Sequence, residues 1–263
     1  MKELDINELK KVEFDILKDI DKYCSENNIS YFLWGGTLLG AIRHNGFIPW
    51  DDDIDIAMPR KDYTRFMNSY HSERYKALSC ENESDYIYCF GKVIDIYTVK
   101  EEPIRCKLQM GVDVDVFPID DFYEECMTKR NINYRRRMLR LWGIVALKYD
   151  NKNPFKYTIK TFIRKLSSAL KITANRIAQN VNKLGQKETK AKGKMLFADS
   201  NLTKPLLVKE DWIDTMTVHM FEGSLFSVPT GYDNLLRACY GDYMQLPPKE
   251  KRVTHHGFNA YMK

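Results

Sequence analysis

No run of about 18 apolar residues occurs in this 263-residue chain, so a bilayer-spanning helix is not expected. Six cysteines, Cys24, Cys80, Cys89, Cys106, Cys126 and Cys239, lack Cys-x-x-Cys or Cys/His ligand spacing, which argues against a zinc site and a disulfide framework. No leader-like apolar segment opens the chain. Met1–Lys11 is highly charged, and the expectation is a protein working in the cytoplasm. Acids are scarce in one region only: between Lys129 and Met195, 19 Lys or Arg stand against two acids, Asp150 and Glu188. The net charge of +5 conceals this asymmetry, because the rest of the chain is acidic.

Against these absences stands one dense stretch, Trp34 to Met58, WGGTLLGAIRHNGFIPWDDDIDIAM. The preceding Ile29, Tyr31, Phe32, Leu33 and Trp34 read as a short buried strand. Gly35 and Gly36 end it, and Thr37 is suited to cap a helix containing Leu38, Leu39, Ala41 and Ile42. A helix start after a glycine turn presents backbone N–H groups and a positive dipole end, which suit a phosphate. An alternating strand follows, in which Asp51, Asp53 and Asp55 share one face while Ile54 and Ile56 point into a core. Carboxylates two residues apart repel one another unless a hard cation neutralises them, so Asp53 and Asp55 point to Mg²⁺ or Mn²⁺. Asp51 and Asp52 stay open between a solvated acidic turn and a part in the site, Asp52 there as a substrate-binding residue.

A second alternating strand, Gly111 to Pro118, carries Asp113 and Asp115 on one face and valines on the other. Beside Asp53 and Asp55 it would bring carboxylates together from two strands. That constellation serves phosphoryl transfer, in which metal ions neutralise phosphate charge and a remaining carboxylate orients or deprotonates the acceptor hydroxyl.

The flanking chain reads as scaffold. Leu9, Val12, Ile16, Leu17 and Ile20 fall at near-helical spacing over Ile6–Glu26, and Arg60–Tyr70 forms a second helix with Tyr63, Phe66 and Met67 as its buried stripe. Tyr86–Phe90 and Val93–Val99 are strand-like runs, and Asp233–Tyr240 reads as a helix. Three parts are expected: a catalytic core over 1–128, a basic helical insert over 129–195, and a C-terminal part, 196–263, that completes the catalytic domain. In the insert, Phe155, Ile159, Phe162, Ile163, Leu166 and Leu170 share one helical face behind Pro154 at the first turn. Three readings of it stay open: a solvated insert packing its apolar face on the core, an interfacial helix drawn to an anionic membrane surface, and nucleic-acid binding. No recognised nucleic-acid motif accompanies the charge, so no nucleic-acid partner is expected.

The Gly-Gly turn, helix, Asp-x-Asp strand and later strand carboxylate resemble an α/β (α+β) nucleotidyltransferase fold of the DNA-polymerase-beta type, a mixed sheet with flanking helices. More specifically, GGTLLGAIRHNGFIPWDDDIDIAM, VDVFPID and YGDYMQLPPKEKRVTHH resemble the LicD family of phosphotransferases. The resemblance implies transfer of phosphocholine, or a related phospho-alcohol such as ribitol phosphate, from a CDP-activated donor. The acceptor it implies is a sugar hydroxyl of a lipid-linked or polymeric cell-surface glycan, at the inner face of the membrane. On this basis Asp53 and Asp55 hold Mg²⁺, and Asp115, with Asp113 as its rival, completes the site and activates the hydroxyl. Gly35, Gly36, Thr37 and Arg43 cradle the diphosphate, with His44 beside them. Lys92, matched to the family's Phe-x-Lys segment, would reach a phosphate, and Arg252 with His255 or His256, matched to the family's ending, would touch the donor or acceptor. A choline cage would draw on aromatics such as Trp34, Trp50 and Tyr88. The motif leaves open which phosphorus is attacked, so nucleotidyl transfer to a small molecule remains the alternative, with a noncatalytic membrane-surface adaptor behind it.

Overall fold

The computed structural model describes residues 1–121, 129–148, 153–186, 194–197, 207–254 and 258–263. A short strand, Lys2–Glu3 (β1), precedes the first helix, Ile6–Asn27 (α1). Asp5 accepts from the N–H groups of Asn7 and Glu8, and the Glu8 side chain accepts from the Asp5 N–H, a capping box that satisfies donors left over by the first turn. The helix buries Leu9, Val12, Ile16, Leu17 and Ile20.

The glycine-turn and acidic stretch follows as Phe32–Leu33 (β2), Gly35–His44 (α2) and Asp55–Pro59 (β3), and then Arg60–Ser69 (α3), Tyr75–Leu78 (β4), Gly91–Asp95 (β5), Thr98–Glu101 (β6) and Asp113–Asp121 (β7). A mixed sheet runs in the order β2, β3, β7, β5, β4. Its central pair, β3 and β7, is parallel, and the other pairs along this path are antiparallel. Both strands of the parallel pair bury apolar runs, Ile56–Met58 and Val114, Val116 to Ile119, as a strand covered on two faces must. Helices α1 and α3 pack on β7, and each fully buried side chain such as Phe32, Phe66 or Ile16 contributes roughly 2–3 kcal/mol.

Three expectations shift. The strand expected from Asp51 begins only at Asp55, where the register with β7 starts, so Asp51–Ile54 is irregular. Helix α2 begins at Gly35, which adopts φ +54°, a conformation other residues reach only with strain. Thr37 therefore lies inside the first turn, and its hydroxyl accepts from the Asp55 N–H at 2.8 Å instead of capping. Tyr86–Phe90 is buried but forms no strand. The carbonyls of Cys80, Glu83 and Tyr86 accept from the Asn175 amide, and that of Ile87 from the Trp142 indole, so side chains of the insert satisfy what a neighbouring strand would have paired. The run Val93–Val99 is split by a turn in which Asp95 accepts from the Tyr97 N–H.

The insert comprises Lys129–Ala146 (α4), Pro154–Ala169 (α5) and Ala174–Gly185 (α6). Helix α6 docks on the core through Ala174, Ile177, Ala178 and Val181 and through a buried polar contact: Arg60 pairs with Asp120 at 2.5 Å and reaches Asn182 at 2.7 Å. Helix α5 is oriented the opposite way from an ordinary surface helix. Ser167 is buried, whereas Phe155 is 76% and Phe162 67% exposed.

The chain then adds Lys194–Phe197 (β8) and Leu207–Lys209 (β9) to the sheet beside β7, followed by a turn of helix at Glu210–Ile213 (α7) and a hairpin, Met216–Phe221 (β10) with Ser224–Pro229 (β11). The hairpin packs on α2 and β2, and Glu222 in its turn accepts from the Phe47 N–H. Helix Tyr232–Tyr240 (α8) and a single 3₁₀ turn at Lys249–Lys251 precede Asn259–Met262 (β12), which joins β1 and β6 in a small second sheet. Five described cysteines, Cys24, Cys80, Cys89, Cys106 and Cys239, are free thiols.

Candidate active site

Asp51 and Asp55 abut the start of α2, and Asp115 adjoins Asp55 in the sheet. Parallel pairing sets Asp55 directly opposite Asp115. A Cβ added at Gly35 would lie 2.8 Å from Asp55 Oδ2, and one added at Gly36 would lie 2.6 Å from Asp51 Oδ2. Only glycine admits carboxylates this close, and their charge lies where a helix start would otherwise attract a phosphate. Asp52 is buried.

A cleft of about 800 Å³ opens here, lined by Gly36, Arg43, Trp50, Asp51, Asp53 and Asp55 from one side and by Tyr240, Asp242, Tyr243, Lys251 and Arg252 from the other. Its size suits an activated small molecule. A concavity of about 910 Å³ between α4 and α6 is larger, but among the described residues its charged lining is Arg130, Arg137 and Lys183, with no carboxylate. The 800 Å³ cleft is therefore the one with reactive chemistry.

Cations face the acids across it. Arg43 donates to the Tyr243 carbonyl at 2.6 Å and to His44 at 3.0 Å. Arg252 donates to the Pro247 carbonyl and lies 5.5 Å from the centroid of Trp50. Burial and then the neighbouring charge of Arg252 lower the pKa of Arg43. Burial and then Arg43 lower His44, which favours the neutral imidazole. Tyr240 faces the acids: its hydroxyl is raised first by burial and also by Asp55, Asp51 and Asp53.

Beneath the cleft the polar network continues into the core. Lys92 is 4% exposed, and its ammonium bonds to Asp113 and, at 2.5 Å, to Asp115. Lys100 reaches Asp113 at 2.7 Å. Burial opposes ionisation of Asp113, but Lys100 and Lys92 hold its carboxyl below the usual range. Burial raises Asp115, with the charge of Asp113 adding to the rise and Lys92 opposing it. Asp113 is thus enclosed by two lysines, while the Asp115 side chain keeps 20% of its surface.

The sequence-derived residues distribute unevenly over this geometry. Asp53, Asp55, Gly36, Arg43, Trp50 and Arg252 line the cleft. Gly35 abuts Asp55, Thr37 holds the β3 backbone, and Asp115 adjoins Asp55. Lys92 is committed to Asp113 and Asp115 instead of lining the cleft. Of the aromatics considered for a cage, Trp50 lines the cleft, whereas Trp34 and Tyr88 are buried elsewhere. His255 and His256 fall outside the described residues.

Two features escaped the sequence reading. Tyr240 and Tyr243 reach the cleft because α8 packs on α2, which spacing cannot reveal. Glu13 is 1% exposed on α1, and neither carboxylate oxygen has a hydrogen-bond partner. Burial raises its pKa well above the usual value, Lys100 opposes the rise, and Asp113, Asp53 and Asp52 add to it. Its signal was legible: Glu13 occupies a position of the apolar stripe between Leu9 and Ile16.

The oxygen-only donor set suits Mg²⁺ or Mn²⁺. Among the described residues no three His, Cys, Asp or Glu side chains are gathered closely enough to cage a cation by themselves.

The family profile described as LicD/FKTN/FKRP, nucleotidyltransferase domain, matches residues 28–141. The lipopolysaccharide cholinephosphotransferase LicD of Haemophilus influenzae is 32% identical over 266 residues, covering 100% of both chains. The chain belongs to the LicD family. Similarity to more remote relatives is local: human ribitol 5-phosphate transferase FKRP is 50% identical over 34 residues, 13% of this chain and 7% of that protein. An uncharacterized Rickettsia typhi protein is 32% identical over 42% of this chain and 35% of its own length. The LicD profile spans Asp53, Asp55, Lys92, Asp113 and Asp115, together with the glycine turn.

Proposed function

We propose that this LicD-family chain is a metal-dependent phosphotransferase of nucleotidyltransferase-like fold, moving phosphocholine from CDP-choline to a sugar hydroxyl of a lipopolysaccharide or similar cell-surface glycan precursor. The observation that carries the reading is the register of Asp55 with Asp115 beside a glycine turn that already holds Asp51 and Asp55. A diphosphate drawn to the start of α2 would meet those carboxylates, whose charge a bound divalent cation would offset. Asp53 and Asp55 are the ligands on this reading, with Asp115 completing the set or acting on the acceptor. When bound, Mg²⁺ or Mn²⁺ neutralises phosphate charge and polarises the phosphoryl oxygens.

The chain's own residues supply orientation and proton transfer. Backbone N–H groups of Gly35 to Thr37 and the guanidinium groups of Arg43 and Arg252 bind the diphosphate, where added negative charge accumulates on the departing CMP. Asp115, its proton affinity raised by burial, accepts the sugar hydroxyl proton as the oxygen attacks the phosphorus bearing choline. The bond from that phosphorus to the CMP oxygen breaks, and CMP leaves. Lys92 holds Asp115 in place, and Asp113 anchors Lys92. Trp50, Tyr240 and Tyr243 are the aromatic walls available to the trimethylammonium group. Relative to the earlier assignment of Lys92 to a phosphate, its role here is positional.

The test is incubation of purified protein with labelled CDP-choline and a glycan acceptor, with Mg²⁺ or with chelator. Acceptor-dependent CMP release that chelation abolishes is expected. Pyrophosphate release from a nucleoside triphosphate, with CDP-choline left intact, would replace this reading with nucleotidyl transfer.

A further inference from the structure

Helix α5 presents its hydrocarbon to solvent and its polar side to the protein. At about 100° per residue, Phe155, Ile159, Phe162, Leu166 and Leu170 occupy an arc of about 80°. They are 76%, 44%, 67%, 50% and 60% exposed. Ser167 on another side is 4% exposed, and Thr161 Oγ1 and a guanidinium nitrogen of Arg164 are also shielded from solvent. Lys156 and Lys165 are exposed and flank the stripe on its two sides. Residues 129–148 and 153–186 together carry 14 Lys or Arg and no Asp or Glu. A folded chain leaves a continuous apolar stripe in water only where something else covers it.

We propose that α5 is an interfacial anchor that lies in the plane of an anionic lipid bilayer, its apolar stripe inserted among the acyl chains and its flanking lysines at the phosphate level. The geometry selects this occupant over others. A second copy would bring like charges together on both sides of the stripe. Nucleic acid would meet cations first, whereas the outermost groups here are phenylalanine and leucine rings and branches. Lysines beside an aromatic stripe match a surface that is negative outside and apolar within. The 16-residue helix is about 24 Å long, too short to cross a bilayer, and no helix among the described residues is long and apolar enough to do so. The anchor stands on α5 alone and holds whether or not the transferase reading does.

Vesicle sedimentation of the full chain tests it. The parent protein is expected to sediment with vesicles of mixed phosphatidylcholine and phosphatidylglycerol, to remain in solution with phosphatidylcholine alone, and to release at high salt. The double variant Phe155→Ser, Phe162→Ser should bind anionic vesicles at least about tenfold more weakly, and Lys156→Glu with Lys165→Glu should erase the lipid preference. Transfer to a soluble acceptor should be unchanged in all of these. Equal binding by parent and double phenylalanine variant overturns the proposal. So does a parent that ignores both vesicle types, a dimer dissolved by the phenylalanine substitutions, or a preference for duplex nucleic acid over anionic vesicles. Absence of transfer with vesicle binding intact would sink the transferase reading and leave the anchor standing.

Discussion

The cleft region and α5 depart from ordinary burial in opposite directions. Beneath the cleft, Lys92, Lys100, Asp113 and Glu13 are charged or ionisable groups taken out of water, where isolated charges are costly. On α5, aromatic and aliphatic groups are left in water, where burial would have stabilised the fold. Burial energetics alone favour neither arrangement, and we read each as an adaptation to something beyond the chain. In the first region the adaptation is electrostatic and points inward to a cleft, and in the second it is hydrophobic and points outward. The first region should therefore be sensitive to single-atom changes and the second should tolerate them.

Substitutions can break this contrast in order of severity. Asp55→Asn should lower transfer by about three orders of magnitude with an unchanged denaturation midpoint. Substantial turnover in that variant would remove the carboxylate site. Lys92→Met leaves Asp113 and Asp115 without their shared cation and should cost about 3–5 kcal/mol in urea unfolding. A loss under about 1 kcal/mol would mean that the buried network behaves as a solvated one.

Glu13→Gln should act in the other direction. The unfolded chain releases this proton near the ordinary value of 4.5, whereas the folded protein retains it well above that. Stability of the parent therefore falls by up to about 1.4 kcal/mol per pH unit as pH rises beyond the ordinary value. Below that value the two states are protonated alike and the loss disappears. The variant's melting advantage should accordingly grow between about pH 5 and about pH 7, and a constant difference would contradict the buried, unpartnered carboxyl. The smallest effect belongs to α5: Phe162→Ser should shift stability by no more than about 0.5 kcal/mol, against about 3–5 kcal/mol for Phe66→Ala in the core. A comparable loss at both would show that Phe162 packs within the fold.

Legibility in the sequence followed how local each cause was. Asp53 and Asp55 could be singled out because a strand's period of two exposes repeated carboxylates against isoleucines, and α1, α3 and α8 emerged within a residue or so because apolar spacing and turn residues are written along the chain. Their pairing with Asp115 was stated only as a condition, since strand order depends on long-range packing. Tyr86–Phe90 had the composition of a strand, yet its carbonyls were taken by Asn175 and Trp142 from nearly a hundred and more than fifty residues away. Thr37 had the chemistry of a cap, yet Gly35 started the helix earlier. Lys92 matched a phosphate-binding position in a motif, while the fold placed two aspartates within reach of its ammonium.

The amino-acid sequence by itself determined the chemistry on offer: an acidic stretch behind a glycine turn, a basic insert with an apolar helical stripe, and membership of a phosphotransferase family. The first two are properties of composition and short-range periodicity, which backbone geometry converts directly into shared faces, and the third rests on likeness to known sequences. Tertiary structure alone decided which groups confront one another and which face of α5 meets the core. Contact free energies depend on proximity in space, and the register of β3 with β7 and the docking of α5 through its polar side arise only when distant segments pack together.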